Sequence, residues 1–103
     1  MKWDFADRHL QAVYEQGKSK KYPFINKSLA KKVVERIGRI ESAEDINDLR
    51  NPPSMQFKAL QGFENRFSIR LDIKHRLEFE ITFEDEKRAV GSVRVITVSK
   101  HYD

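Results

Sequence analysis

The chain has 103 residues, enough for one compact domain over residues 1–103 and too few for two. It has no cysteine and no apolar run near the roughly 20 residues that cross a bilayer, so disulfides, thiolate metal sites and membrane helices are excluded and a cytoplasmic protein is expected. The 20 Lys and Arg residues outnumber the 16 Asp and Glu residues, and the formal charge of +4 favours a phosphate-bearing partner.

The first elements predicted are a short strand and a helix. Trp3 and Phe5 alternate with polar neighbours, which is typical of a strand. Leu10 and Val13 then fall at helical spacing, and Gly17 follows where a helix end favours a left-handed residue. We therefore predict a strand near residue 3 and a first helix that ends at residue 17.

A second, longer helix is predicted after Pro23, which lacks an amide hydrogen and interrupts the preceding pattern. Asn26 or Ser28 is suited to cap it. Its apolar stripe consists of Leu29, Val33, Ile37 and Ile40, widened by Ala30 and Val34. Beside the stripe lie three cations that either form a solvated face or bind phosphate groups: Lys32, Arg36 and Arg39.

A short third helix is predicted before a pair of prolines. Ser42 precedes Ala43-Glu44-Asp45, an N-terminal signature with acidic residues in the first turn. Ile46 and Leu49 are three residues apart, and Asn51-Pro52-Pro53 ends the helix.

From Met55 onward the apolar period becomes two, which predicts strands over residues 55–60, 67–72, 76–83 and 93–100. Gly62, Ile73-Lys74 and a charged loop from Glu84 to Arg88 separate them. The last strand is apolar on both faces, as a central strand would be. We predict an α+β domain whose N-terminal helices cover one face of an antiparallel sheet, mixed at most, of about four to five strands.

The other face of this sheet carries converging cations. Lys58, Arg70 and Arg76 share the polar parity of three successive strands, which puts them on the face that the helices leave uncovered. For Arg70, cross-strand pairing with Glu78 or Glu80 is the competing interpretation. Cations beside a strand that ends in a histidine and a tyrosine indicate a site for a phosphodiester.

The element order and two motifs resemble HigB, the plasmid-maintenance killer branch of the RelE/ParE toxin superfamily. Phe57-Lys58-Ala59-Leu60-Gln61-Gly62 resembles the family's Leu-His-Pro-Leu-Lys-Gly. Phe67-Ser68-Ile69-Arg70, followed by Arg76 and Leu77, resembles its Tyr-Ser-Ile-Arg and Trp-Arg-Ile. The similarity extends from Ala30 to Tyr102.

The resemblance implies a RelE-like fold and a toxin that cuts messenger RNA in the ribosomal A site, neutralised by a helix-turn-helix antitoxin of the HigA type. It also implies that Arg76 contacts the scissile phosphate and that His101 takes the place of a carboxy-terminal histidine. The chain departs from the family at Lys58, which replaces a histidine, at Gln61, which replaces a lysine, and in the order Ser99-Lys100-His101-Tyr102.

Because of these departures, the roles are assigned from chemistry. Metal-free RNA cleavage uses the 2′-hydroxyl as nucleophile, so the protein removes one proton, supplies another and stabilises negative charge. We assign His101 to acid or base chemistry and Lys58 to the complementary role or to electrostatics. Tyr102 orients or stacks on a base. The expected phosphate contacts are Arg70, Arg76, Lys100 and the three cations of the second helix, Lys32, Arg36 and Arg39.

Three alternative functions are compatible with parts of the sequence. Asp72-x-Lys74 and Asp85-x-Lys87 fit a fragment of metal-dependent nucleases, but both lie in predicted turns, and we predict no metal site and no cofactor. A ParE-like toxin that inhibits DNA gyrase needs the same fold without proton carriers. A basic RNA-binding module without activity is compatible with the substitutions at Lys58 and Gln61.

Overall fold

The computed structural model describes residues 1–100, and the predicted site residues His101 and Tyr102 lie outside them. Its elements in chain order are β1 (Trp3–Phe5), α1 (Arg8–Gln16), α2 (Lys27–Ser42), two 3₁₀ helices (Ile46–Arg50 and Pro53–Met55), β2 (Lys58–Ala59), β3 (Arg66–Arg70), β4 (His75–Phe83) and β5 (Gly91–Lys100).

The strands form one five-stranded sheet in the order β1-β5-β4-β3-β2. β1 runs parallel to β5, and the other neighbouring strands are antiparallel, so the sheet is mixed. β5 lies between β1 and β4, which confirms the prediction of an interior final strand. The α+β class, the strand number and the order of helices and strands are confirmed.

A side chain caps the start of each helix, and a left-handed glycine follows the end of α1. Asp7 accepts a hydrogen bond from the Leu10 amide at 3.0 Å at the start of α1, and Gly17 ends it with a φ of 81°. Asn26, rather than Ser28, caps α2, because its Oδ1 accepts from the Leu29 amide at 2.8 Å.

The apolar stripe of α2 is narrower than predicted. Leu29, Ala30, Val33, Ile37 and Ile40 are buried, as expected. The inclusion of Val34 was wrong, because its side chain is 41% exposed. Each residue turns the helix by about 100°, so Val34 lies to the side of the stripe that Val33 and Ile37 define.

Two elements of the structure begin at later residues than the sequence predicts. Ser42 is the last residue of α2, and Asp45 instead caps the first 3₁₀ helix by accepting from the Asn47 amide at 2.8 Å. The strand predicted from residue 55 starts only at Lys58, because Met55 ends the second 3₁₀ helix and Gln56 has a φ of 48°. Left-handed backbone at residue 56 interrupts an extended chain.

The core lies between the helices and one face of the sheet. Register opposes Phe67 to Phe79 and Ile69 to Leu77, and all four side chains are buried beside the apolar residues of the helices. Arg70 and Arg76 alternate with these residues and so lie on the opposite face. Within residues 1–100, no helix has the length and apolarity that a membrane span requires.

The core assignment predicts different costs for two truncations on α2. Ile37→Ala should lower the free energy of unfolding by about 2–5 kcal/mol, since Ile37 has no exposed surface. Val34→Ala should change it by less than about 0.5 kcal/mol. Chemical denaturation of both variants measures the difference, and equal losses would contradict the assignment.

Candidate active site

The register of the strands brings three predicted site residues to one face of the sheet. Lys58 is opposite Ser68, and Arg70 is opposite Arg76. Since directly opposed residues and residues two apart on a strand share a face, Lys58, Arg70 and Arg76 lie together on the face away from the core, as the alternation predicts. Lys58 is exposed on the short edge strand β2.

Arg76 is buried, with only 8% of its surface exposed, and its guanidinium is held by neutral oxygens. Nε donates to Ser68 Oγ at 2.9 Å, and Nη1 donates to Gln56 Oε1 at 3.3 Å. Nη2 donates to the backbone carbonyls of Gln56 and Ser68. Burial and the charge of Arg70 lower the pKa of Arg76, while Glu78 opposes them. Arginine nevertheless stays charged in proteins.

A third arginine, Arg36 of α2, contacts the backbone of Arg70. Its Nε donates to the backbone carbonyl of Arg70 at 2.7 Å, while Arg70 Nε donates to the carbonyl of Asp72 at 3.3 Å. Burial, followed by the charges of Arg39 and Arg70, lowers the pKa of Arg36. We call Arg36, Arg70 and Arg76 the arginine cluster.

Acidic partners reach only part of the arginine cluster. Glu35 pairs with Arg36 and also with Arg39, whose Nε lies 3.0 Å from its carboxylate. Within the described chain, Arg70 and Arg76 form no ion pair. Two arginines at opposed positions, neither held in an ion pair, make this part of the sheet suited to an anion.

The competing interpretation of Arg70, a cross-strand pair with Glu78 or Glu80, was wrong. Glu78 is opposite Ser68, and Glu80 is opposite Arg66, to which it forms an ion pair at 3.9 Å. Arg70 therefore faces another cation instead of an acid.

Asp72 organises the turn between β3 and β4. Its Oδ1 accepts from the amides of Lys74 and His75, both at 2.8 Å, and lies 2.9 Å from His75 Nδ1. Burial raises the pKa of Asp72, but the hydrogen bonds from His75 and Lys74 and the charge of His75 outweigh it, so that the pKa is lowered. His75, the first residue of β4, flanks this turn.

β5 ends next to the first residues of β4, with Lys100 on the opposite face of the sheet from Arg70 and Arg76. Its last residue, Lys100, is opposite His75, the residue next to Arg76 in the chain. The His75 ring stacks on Phe24 with centroids 5.4 Å apart, and Lys100 Nζ lies 4.8 Å from the centroid of Phe24.

The remaining predicted phosphate contacts lie on α2. Lys32 and Arg39 are exposed and stand within four residues of Arg36, so the three side chains occupy one side of the helix. The bond from Arg36 to Arg70 connects this side of α2 to the sheet.

Sequence reasoning missed Gln56 and Ser68 as the residues that hold Arg76. Ser68 is one of the polar residues that alternate with the apolar residues of β3, and this alternation weakly indicates that it faces the site. Gln56 gave no signal, because its contact depends on the left-handed backbone between the 3₁₀ helix and β2.

The two Asp-x-Lys fragments lie in turns, as predicted. Asp85 accepts from the amides of Ala89 at 2.9 Å and Val90 at 3.0 Å, and these bonds lower the pKa of Asp85. Asp72 caps the other turn. Over residues 1–100, no group of three or more His, Asp or Glu side chains is arranged to hold a metal ion.

Comparison with known proteins gives consistent matches. Residues 3–92 match the family model of the RelE-like toxin of the type II toxin-antitoxin system HigB. The chain is 30% identical to Toxin HigB-1 of Vibrio cholerae over 81 residues, covering 78% of this chain and 83% of that protein. It is 32% identical to an uncharacterized protein of Haemophilus influenzae over 77 residues, 74% of each chain.

A solved structure matches the fold over almost the whole chain. The YoeB/ParE toxin from Agrobacterium tumefaciens has a TM-score of 0.56, covering 99% of this chain and 100% of that one. The sequences are 16% identical, so this likeness concerns the fold alone.

The turn at Asp72 gives a pH-dependent prediction. Asp72→Asn keeps the shape but removes the charge, and it should lower the thermal midpoint at neutral pH. Because the folded-state pKa of Asp72 is lowered, its carboxylate stabilises the fold above about pH 4, and this stability is lost as the pH falls through that pKa. The difference from wild type should therefore shrink as the pH falls below about 4, and a constant difference across pH would contradict this account.

Proposed function

Because the chain belongs to the HigB-like toxin family of type II toxin-antitoxin systems, we propose that it is a ribosome-dependent endoribonuclease that cuts messenger RNA without a metal ion. The observation that carries this proposal is the opposition of Arg70 and Arg76, without an ion pair on either within residues 1–100, on the open face of the sheet.

This pair of arginines is suited to the charge that develops during RNA cleavage. Attack by the 2′-hydroxyl places additional negative charge on the phosphate oxygens. A guanidinium group stays protonated and offers two parallel donors to such oxygens. Arg76 is already positioned by Ser68 and Gln56, so little of its rotamer freedom remains to be lost when RNA binds.

The proton transfers are assigned to Lys58 and His101. Lys58 lies on the same face as Arg70 and Arg76, and His101 follows Lys100, which ends the strand beside β4. In this proposal one of the two takes the 2′-hydroxyl proton, and the other protonates the departing 5′-oxygen or stabilises charge. Tyr102 orients or stacks on a neighbouring base.

The cations of α2 extend the contact with RNA. Lys32, Arg36 and Arg39, together with Lys100, would bind phosphates of the message or of ribosomal RNA, and this binding should weaken as salt is raised. Since the proposed activity depends on ribosomes, we expect it in the cytoplasm. A toxin of this family has a cognate antitoxin, and we propose a helix-turn-helix protein of the HigA type.

The function predicts the loss of message cleavage in two variants. Arg70→Ala removes one phosphate contact, and His101→Ala removes a proton carrier, so each should reduce cleavage at least about 100-fold. Mapping message ends after translation with purified ribosomes measures the cleavage. Arg76→Ala is a less specific test, because it also leaves Ser68 and Gln56 without their shared partner.

Arg94→Ala is the matched control. Arg94 is opposite Glu80 on the same sheet and pairs with Asp4 at 3.0 Å, so the substitution removes an equal charge outside the arginine cluster. Its cleavage should remain close to wild type. Unchanged cleavage in both Arg70→Ala and His101→Ala would refute the assigned site, while intact messages with lost DNA supercoiling would indicate a gyrase inhibitor.

The carboxy terminus can be tested as a unit. Deletion of residues 101–103 removes both predicted aromatic site residues and leaves every strand of the described sheet. We expect a folded protein that still binds its antitoxin and ribosomes but leaves messages intact. Retained cleavage in the truncated protein, measured in the same translation assay, would exclude His101 as a proton carrier.

A further inference from the structure

Arg76 is a buried cation that makes its contacts with uncharged groups. Buried arginines are ordinarily paired with carboxylates, because an uncompensated charge is costly away from water. Here the partners are Ser68 Oγ, the Ser68 carbonyl, the Gln56 carbonyl and Gln56 Oε1. The contacts satisfy the donors without neutralising the charge.

We propose that Gln56 is a positioning residue for Arg76, whose neutral side-chain amide occupies Nη1 in the free protein and gives way to a phosphate oxygen of RNA. The inference rests on the proposed function for the identity of the ligand. In this role Gln56 keeps the phosphate contact of Arg76 available.

The donor geometry of Arg76 supports such an exchange. A guanidinium has five N–H donors. Nε is committed to Ser68 Oγ at 2.9 Å, and Nη2 is directed at two backbone carbonyls. Nη1 has two N–H groups and makes one contact within residues 1–100, to Gln56 Oε1 at 3.3 Å. The backbone carbonyls and Ser68 therefore fix the guanidinium group, while Nη1 makes only a long hydrogen bond to the side chain of Gln56.

The location of Gln56 makes the exchange possible. Its side chain is exposed, whereas Arg76 beneath it is buried, so the amide can swing into solvent without opening the core. Its backbone carbonyl continues to hold Nη2 when the side chain leaves. An incoming phosphate would gain both Nη1 donors and the nearby charge of Arg70, which is directly opposite Arg76.

The proposed role of Gln56 requires an uncharged side chain. A carboxylate at this position would bind the guanidinium by a charge-assisted bond, which is shorter and roughly twice as strong as a neutral bond. It would stabilise the folded protein, but it would compete with the phosphate. A residue with a merely structural role would change stability and binding in the same direction.

Gln56→Glu separates these effects. We expect the thermal midpoint to rise by about 4 °C. Binding to a labelled single-stranded RNA oligonucleotide, measured by fluorescence anisotropy without ribosomes, should weaken at least about tenfold, which corresponds to about 1.4 kcal/mol. Gln56→Asn, which keeps a neutral amide, should bind RNA within about threefold of wild type.

Gln16→Glu, an exposed substitution at the end of α1, controls for the change in net charge and should leave RNA binding unchanged. RNA binding by Gln56→Glu that equals wild type, or a loss matched by Gln16→Glu, overturns the inference. A lower midpoint together with weaker binding also overturns it, since Gln56 would then be structural.

Message cleavage measured in parallel separates the two proposals. If wild type cuts messages and Gln56→Glu cuts them equally well, the role of Gln56 is refuted and the nuclease function stands. If Gln56→Glu is stabilised and loses RNA binding although wild type never cuts messages, the positioning role stands and the nuclease function fails.

Discussion

The pairing of β3 with β4 is the constraint on which the site depends. The buried pairs Phe67 with Phe79 and Ile69 with Leu77 fix the register of the two strands. A slip by one residue would turn these apolar side chains to the open face, so the core permits one register. The same register places Arg70 directly opposite Arg76, and core packing thereby determines the position of the two charges.

Placing like charges directly opposite each other destabilises a sheet, and the surrounding groups offset only part of this cost. Backbone carbonyls and neutral side chains accept hydrogen bonds from Arg70 and Arg76, and Arg36 adds a third cation through the Arg70 carbonyl. An anion that binds both strand arginines would relieve the repulsion. If these arginines bind RNA as proposed, the arrangement exchanges stability of the free protein for affinity toward a phosphate, which is typical of binding sites.

The sequence predicted those features that depend on local periodicity. Alternation along β3 and β4 gave the faces of Arg70 and Arg76, and the apolar stripe of α2 gave its buried side apart from Val34. The missed features depend on contacts between distant residues or on one backbone angle. Arg36 reaches a carbonyl 34 residues away, and Gln56 reaches Arg76 because its φ is 48°. Neither contact has a signature in composition or spacing.

The most direct test of the account is the position of bound RNA on the protein. In a nuclear magnetic resonance titration with a short single-stranded RNA, the Nε–H signals of Arg70 and Arg76 should shift together and saturate at the same RNA concentration. The Nε–H signal of Arg94, paired with Asp4 elsewhere on the sheet, should stay in place. Shifts at Arg94 without shifts at Arg70 and Arg76 would contradict the claim that the register of β3 and β4 builds the phosphate site.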